Sequence, residues 1–316
     1  MNKRILLLYF KEEQKSGFPV CEEIFKALFR KFRVSATFTI VHLDTSPSCR
    51  DLMTKKIINE IGINDAVFLC HDDNLSPQET SFLDEIMGIY GFHHQNTGIN
   101  IFFPYEKTFF REENQEITET VFYSIEKAEK LIKLCTDYAY KNAKTVFICT
   151  GECGIDARLF KDFERAGRTY RYLDINHMTP GKIIRESASC ILKPCVILTR
   201  SHIADTLLLH TFTAKKMHSG YTVIHSDRGK IYKPVSARFS FEEIQKLRLL
   251  LIAFSVLIED SFQMKRASLW LRKSIDTAFS EFSITNKEEF AGRIINCINE
   301  PIRKRSNDYE QYKSTN

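Results

Sequence analysis

The opening ninety residues alternate short apolar runs with helical stretches, and that alternation most restricts how the chain can fold. Residues 5–9 (ILLLY) have the length and composition of a buried strand. Residues 19–32 follow with Ile24, Phe25, Leu28 and Phe32 on one stripe of a helix. Residues 35–41 alternate as a strand, 49–61 are helical, and 65–70 (DAVFLC) form another buried strand. A third helix starts at Ser76, where Ser76-Pro77-Gln78-Glu79 has capping-box spacing. Strands each followed by a helix can pair in parallel, because the helix supplies the long return that parallel pairing needs. The succession predicts an α/β fold, a mostly parallel sheet with helices on both faces.

The rest continues the alternation. Strands are expected at 98–103, 144–149, 170–173, 195–199 and 231–235, with 104–118 a polar loop. Residues 124–140 form a long helix with Ala128, Leu131, Ile132, Cys135 and Ala139 inward. Further helices fall at 156–166, 180–187, 203–217, 241–260, 265–282 and 287–302. The helix at 241–260 is so apolar that it must lie within the fold. The polar tail 303–316 is expected to be disordered.

Composition excludes more than it selects. A chain of 316 residues, 43% hydrophobic, can bury a large core as one domain or two lobes. A net charge of +5 is too mild to argue for nucleic acid. No apolar run is long enough for a bilayer; the best, 249–258, ends at Glu259 and Asp260. The nine cysteines show no metal-type spacing. Cys70, Cys149, Cys190 and Cys195 sit in apolar runs as small hydrophobes, which suits a reducing cytoplasm.

Several segments then carry a family resemblance. Glu119 to Ile132 (ETVFYSIEKAEKLI) looks like D-T-x-V-Y-T-x-x-E-I-E-R-I. Lys144 to Phe160 (KTVFICTGECGIDARLF) has the spacing of K-V-T-x-V-D-K-A-N-V-L-x-x-x-R-L-W. Val196-Ile197-Leu198-Thr199 with Ile203-Ala204-Asp205 is similar to V-I-V-T followed by F-G-D. Gly229 to Val235 (GKIYKPV) resembles G-L-Y-E-P-V, and residues 82–94 resemble L-R-K-x-L-G-L-F-A-N-L-R. Together, in this order, these segments resemble the β-decarboxylating dehydrogenases: the isopropylmalate, isocitrate and tartrate/malate dehydrogenases. The resemblance implies a two-lobed, isopropylmalate-dehydrogenase-like fold. The first, cofactor-type lobe would hold residues 1–97 and 220–316, and the second, substrate and dimerisation lobe residues 98–219. It implies a homodimer through second-lobe helices, here 156–166 and 203–217, with Leu207, Leu208 and Leu209 in an apolar run. Taken from the residues alone, those leucines equally fill the core of one chain.

The family's reaction, oxidative decarboxylation of a 2-hydroxy acid, needs carboxylates around Mg²⁺ or Mn²⁺, a proton-moving lysine and tyrosine, arginines for the second carboxylate, and a cradle for NAD(P). The resemblance puts the three metal aspartates at Asp174, Asp205 and Leu209, so two carboxylates remain and the third position is apolar. The lysine falls at Thr150, whose hydroxyl cannot replace an ammonium. The paired arginines fall near Asp84 and His94, the first a charge reversal. The third arginine and the tyrosine fall in the shortened segment 104–118, where Tyr105 or Arg111 are possible substitutes, while Tyr123 matches a scaffold position. On the cofactor side, the glycine-rich first turn becomes residues 10–19 with only Gly17, the turn after the third strand becomes Cys70-His71-Asp72-Asp73-Asn74, and the adenosine loop becomes residues 236–241. Losing these glycines removes close backbone approach to phosphate.

Other clusters have two readings each. His71, Asp72 and Asp73 follow a strand end, where α/β folds place ligands, but read first as a solvated acidic turn. Cys149 to Gly154 reads first as a tight turn. His202 with Asp205, Asp174 and His177 could surround a metal, or each could be a cap or a surface group. His93 and His94 read as surface at a strand edge, and Lys215, Lys216 and Arg303–Arg305 as solvated faces. Two function classes follow. One is a non-catalytic, regulatory or subunit-like homologue, a dimer with a possible regulatory protein partner and neither nucleic acid nor membrane. The other is a metal-dependent, NAD(P)-linked oxidoreductase using Mg²⁺ or Mn²⁺ on an atypical 2-hydroxy acid.

Overall fold

A computed structural model describes residues 2–10, 18–46, 48–71, 75–96, 98–104, 107–113, 116–122, 124–149, 161–165, 173–189, 193–214, 219–236, 243–280 and 286–301. Its strands are β1 (Lys3–Phe10), β2 (Ala36–Leu43), β3 (Ala66–Leu69), β4 (Ile89–Asn96), β5 (Ile99–Pro104), β6 (Lys107–Glu113), β7 (Glu116–Phe122), β8 (Thr145–Ile148), β9 (Ile175–His177), β10 (Cys195–Leu198), β11 (Ser219–Ser226) and β12 (Gly229–Ser236). The helices are α1 (Phe18–Lys31), α2 (Arg50–Ile63), α3 (Pro77–Met87), α4 (Ile125–Lys141), α5 (Pro180–Ala188), α6 (Ser201–Ala214), α7 (Glu243–Phe262), α8 (Lys265–Phe279) and α9 (Lys287–Asn299).

Ten strands form one sheet in the order β2-β1-β3-β12-β11-β4-β5-β10-β8-β9, while β6 and β7 pair separately as an antiparallel hairpin. β2, β1, β3 and β12 are mutually parallel, as are β5, β10, β8 and β9. Between these groups lie three antiparallel pairings, β12 with β11, β11 with β4, and β4 with β5. Three reversals make the two parallel groups run in opposite directions. The carboxyl ends of β1, β3 and β12 therefore point to one edge of the sheet, and those of β5, β10 and β8 to the other.

β1 shows why this sheet needs helices on both faces. All six residues from Ile5 to Phe10 are buried, with Ile5, Leu7 and Tyr9 in one cluster and Leu6, Leu8 and Phe10 in another. Strand side chains alternate, so both faces of β1 must be covered. Two further clusters cover the other half, one around Ile101, Ile197 and Leu207 and one around Phe102, Leu131 and Val196. As its composition requires, α7 is buried along most of its length, with Phe254 stacked on Phe25 at 3.5 Å between ring centroids. α3 begins with the expected capping box: Ser76 Oγ accepts from Glu79 N at 3.2 Å and Ser76 N donates to Glu79 Oε2 at 2.8 Å. Among the described residues, no helix is long and apolar enough to cross a membrane.

The structure corrects three expectations. Part of the expected loop at 104–118 is the hairpin β6–β7; its residues alternate charged groups with Thr, Phe, Ile and Val, which favour strands, so mean polarity misled. Strands β4 and β11 were not anticipated, because IYGFHHQN and SGYTVIHS lack a simple apolar pattern. Of the strand expected at 170–173, residues 170–172 lie outside the described residues, and Leu173 precedes β9. His93, expected at the surface, is buried at 6% exposure with its ring stacked on Phe102. The tail 303–316 lies outside the described residues.

Candidate functional site

Strand direction decides where the predicted metal carboxylates stand. Asp174 directly precedes β9 and is exposed; its carbonyl accepts from Val146 N at 2.8 Å, and its carboxylate from Asn176 Nδ2 at 2.8 Å and Thr145 Oγ1 at 3.4 Å. It therefore marks the amino end of the parallel group. Asp205 is exposed in the second turn of α6, the helix that leaves the carboxyl end of β10. The two groups attach to opposite ends of strands that are also separated by β8. They do not make a joint divalent-ion site within one chain. Among the described residues, no group of three or more His, Cys, Asp or Glu could hold a metal.

The remaining predicted residues are scattered. Asp84 is half-buried on α3, where its carbonyl accepts from Gly88 N, and His94 is on β4 opposite Thr222. His71 ends β3 and is buried rather than solvated, its ring edge-on to Phe10 at 5.6 Å. Cys149 is buried, its carbonyl accepting from Thr199 Oγ1 at 2.6 Å. His177 is exposed at the end of β9. Leu207 is in the core and Leu208 half-buried, so the core reading applies at Leu207. Thr150, Tyr105, Tyr123, Asp72, Asp73, residues 151–154 and the cofactor-type turns 11–17, 72–74 and 237–242 lie outside the described residues. So do the side chains of His94, Arg111, His202 and Leu209.

What the chain does assemble is a polar cluster over β5, β4 and β11, where the two parallel groups meet. Lys144 Nζ donates to Asn100 Oδ1 at 2.6 Å and to the Gly98 carbonyl at 3.2 Å, and Asn100 Nδ2 lies 2.9 Å from His93 Nε2. Around His93 stand Phe102, stacked at 4.2 Å, Tyr138 at 5.1 Å, Tyr221 at 6.3 Å and His225 at 6.4 Å between centroids. Gly91 lets α4 pack closely on β4: a Cβ there would lie 2.5 Å from Leu131 Cδ1, and the Leu131 side chain would have to shift.

A second set continues along the same face through β12 to α7. Asp260 accepts from Lys230 Nζ at 2.9 Å and from the Tyr232 hydroxyl, which in turn accepts from Ser261 Oγ at 3.3 Å. Burial alone would raise the Asp260 pKa, but these hydrogen bonds outweigh it and hold the carboxyl below its usual value. Burial raises the Tyr138 and Tyr221 phenols and lowers Lys144. His225 is pulled down to about 4, first by burial and then by Lys230. The cluster thus keeps neutral rings inside and charged groups at its rim. Its members come from four distant segments, so no local pattern announced it. The only sequence signal was His and Asn interrupting apolar strand residues.

This chain shares its fold with solved structures of a β-decarboxylating dehydrogenase and an isocitrate dehydrogenase. The chain superposes on a β-decarboxylating dehydrogenase from Thermococcus kodakarensis in its apo form with a TM-score of 0.68 at 12% identity, covering 94% of this chain and 96% of that one. An isocitrate dehydrogenase from Methylococcus capsulatus gives 0.67 at 10% identity, over 94% and 100%. A protein from Thermus thermophilus gives 0.71 at 11% identity, over 95% and 69%. No protein-family model matches the chain, and no curated protein does.

Proposed function

We propose that this chain is a non-catalytic binding, regulatory or subunit-like protein on the isocitrate/isopropylmalate dehydrogenase framework, one that has lost hydride transfer. The observation that carries this reading is on α6. That helix is continuous from Ser201 to Ala214, so position 209 lies one turn beyond Asp205 on the same face. The family resemblance calls for two metal carboxylates there, and the second is Leu209. Thr150 in place of the lysine and Asp84 in place of an arginine support the same conclusion. The break between core clusters at the β4–β5 pair supports the lobe division at residue 97. A homodimer through α6 and residues 156–166 belongs to this proposal, with the half-buried Leu208 at its edge. So does a cytoplasmic setting, supported by the free thiols of Cys21, Cys49 and Cys135.

The test is thermal unfolding of the purified chain with NADH, with and without Mn²⁺. A ligand at one hundred times its Kd adds about 2.7 kcal/mol to the folded state, a readily seen shift in Tm. The proposal expects no saturable shift. A clear one, followed by turnover of a 2-hydroxy acid, would replace it with the oxidoreductase reading.

A further inference from the structure

We propose that β2, the outer edge strand of the sheet, is a docking surface for a second copy of this chain, the two β2 strands pairing antiparallel across a two-fold axis near Ile40. This inference is independent of the function proposed above, since β2 and the β10–α6 region lie toward opposite ends of the sheet. β2 ends the strand order, with β1 as its single neighbour among the described strands. Its eight residues, ATFTIVHL, include no charged group and no proline, and its register with β1 runs unbroken from Ala36 to Leu43. Charges, prolines and bulges are the devices that block an exposed edge, and β2 has none of them. The opposite edge is blunted by its shortness, β9 being three residues long.

The main chain of β2 defines the kind of partner that fits. Lys3 N donates to the Ser35 carbonyl at 2.8 Å, so Ser35 and, by alternation along the strand, Thr37, Thr39 and Val41 turn their peptide groups toward β1. Ala36, Phe38, Ile40 and His42 turn theirs away from the sheet, a row of donors and acceptors that another strand matches. The strand is held in place for this, Phe38 stacking on Phe25 at 6.0 Å and standing edge-on to Phe29 at 5.9 Å between centroids. Three observations select a second copy as the partner. An antiparallel copy with its faces aligned sets outward residues against outward residues, so Ile40 meets Ile40 or Phe38 of the other copy. That covers an apolar side chain that is 39% exposed in the single chain. Within the paired strands no like charges stand opposite one another. At the ends, Arg33 precedes β2 and Asp44 follows it, so antiparallel pairing brings the basic end of each strand beside the acidic end of the other.

Sedimentation equilibrium of the full chain over rising concentration, with Ile40→Lys and Leu52→Lys alongside, tests the pairing. At the highest concentration wild type should reach at least about twice the mass of Ile40→Lys, whose charge blocks the edge. Leu52→Lys, at a leucine 76% exposed on α2, should match wild type. Hydrogen exchange locates the contact. Where about nine-tenths of the chains are paired, the amides of Phe38, Ile40 and His42 should exchange about tenfold more slowly than in dilute solution, with those of Thr37, Thr39 and Val41 unchanged. Equal masses for wild type and Ile40→Lys, or the same loss of mass in Leu52→Lys, overturn the proposal. Slow exchange of the three outward amides at every concentration would mean that the chain covers its own edge, and overturns it equally. Should Ile40→Lys fail to fold, the concentration dependence of those amides in the native chain decides alone.

Discussion

The core behind β1 and the polar cluster over β4 and β11 are both buried, yet they are held by different physics. Behind β1, Phe254 lies against Phe25 at 3.5 Å and edge-on to Phe68 at 5.6 Å, with Leu251, Leu257 and Ile275 around them. None of these six side chains titrates, so the strength of their packing is set by area and fit. Over β4 and β11, rings also stack, but they are His93, Tyr138, Tyr221 and His225, threaded by Asn100 and Lys144. Burial there depends on hydrogen bonds being complete and on protons being in place. The comparison teaches that two buried regions of one sheet can be held differently, one by apolar fit and one by a hydrogen-bonded cluster of rings.

The largest effect should come from the apolar side. Phe254→Ala removes a fully buried ring between two others and should cost about 3–5 kcal/mol in urea unfolding, by the same amount at pH 5 and pH 7.5. A pH-dependent loss would break the distinction drawn above. The polar cluster should show the next effect without any mutation. His225 has a folded-state pKa of about 4 against an ordinary 6.5, so the unfolded chain takes up the proton first as pH falls. Its contribution is therefore fully present above pH 6.5, declines through the window down to about 4, and is gone below it. With each tenfold change in proton affinity worth about 1.4 kcal/mol, the loss is ~3 kcal/mol. The difference between wild type and His225→Phe across that window measures it, and parallel curves would remove His225 from the account. The smallest of the three is Asn100→Ala, which strips partners from Lys144 and His93 together and should cost about 2 kcal/mol. A neutral result would show that water replaces the amide and that the network is not what holds the cluster.

Legibility in the sequence followed how local each cause was. The capping box at Ser76, the stripe of α1 and the apolar run of β1 are readable because period and capping act within a few residues. β4 was not readable, because Gly91 is there for the approach of Leu131, and His93 for Asn100, Phe102 and Tyr221. Each of those reasons lies in another segment. The candidate site divided the same way. Asp174 and Asp205 could be picked out from neighbouring residues, but the parallel pairing of β10, β8 and β9 decided that they attach to opposite ends of their strands.

By itself, then, the sequence determined the α/β class, most of the helices and the apolar character of α7. These are properties of residue identity and short-range periodicity. Only the tertiary structure decided that the sheet reverses direction at its middle, that β6 and β7 pair outside it, and that His93 and His225 are buried with ring centroids 6.4 Å apart. Hydrogen-bonded pairing between distant strands and the removal of water from the side chains they bring together are cooperative effects, and no stretch of chain carries them alone.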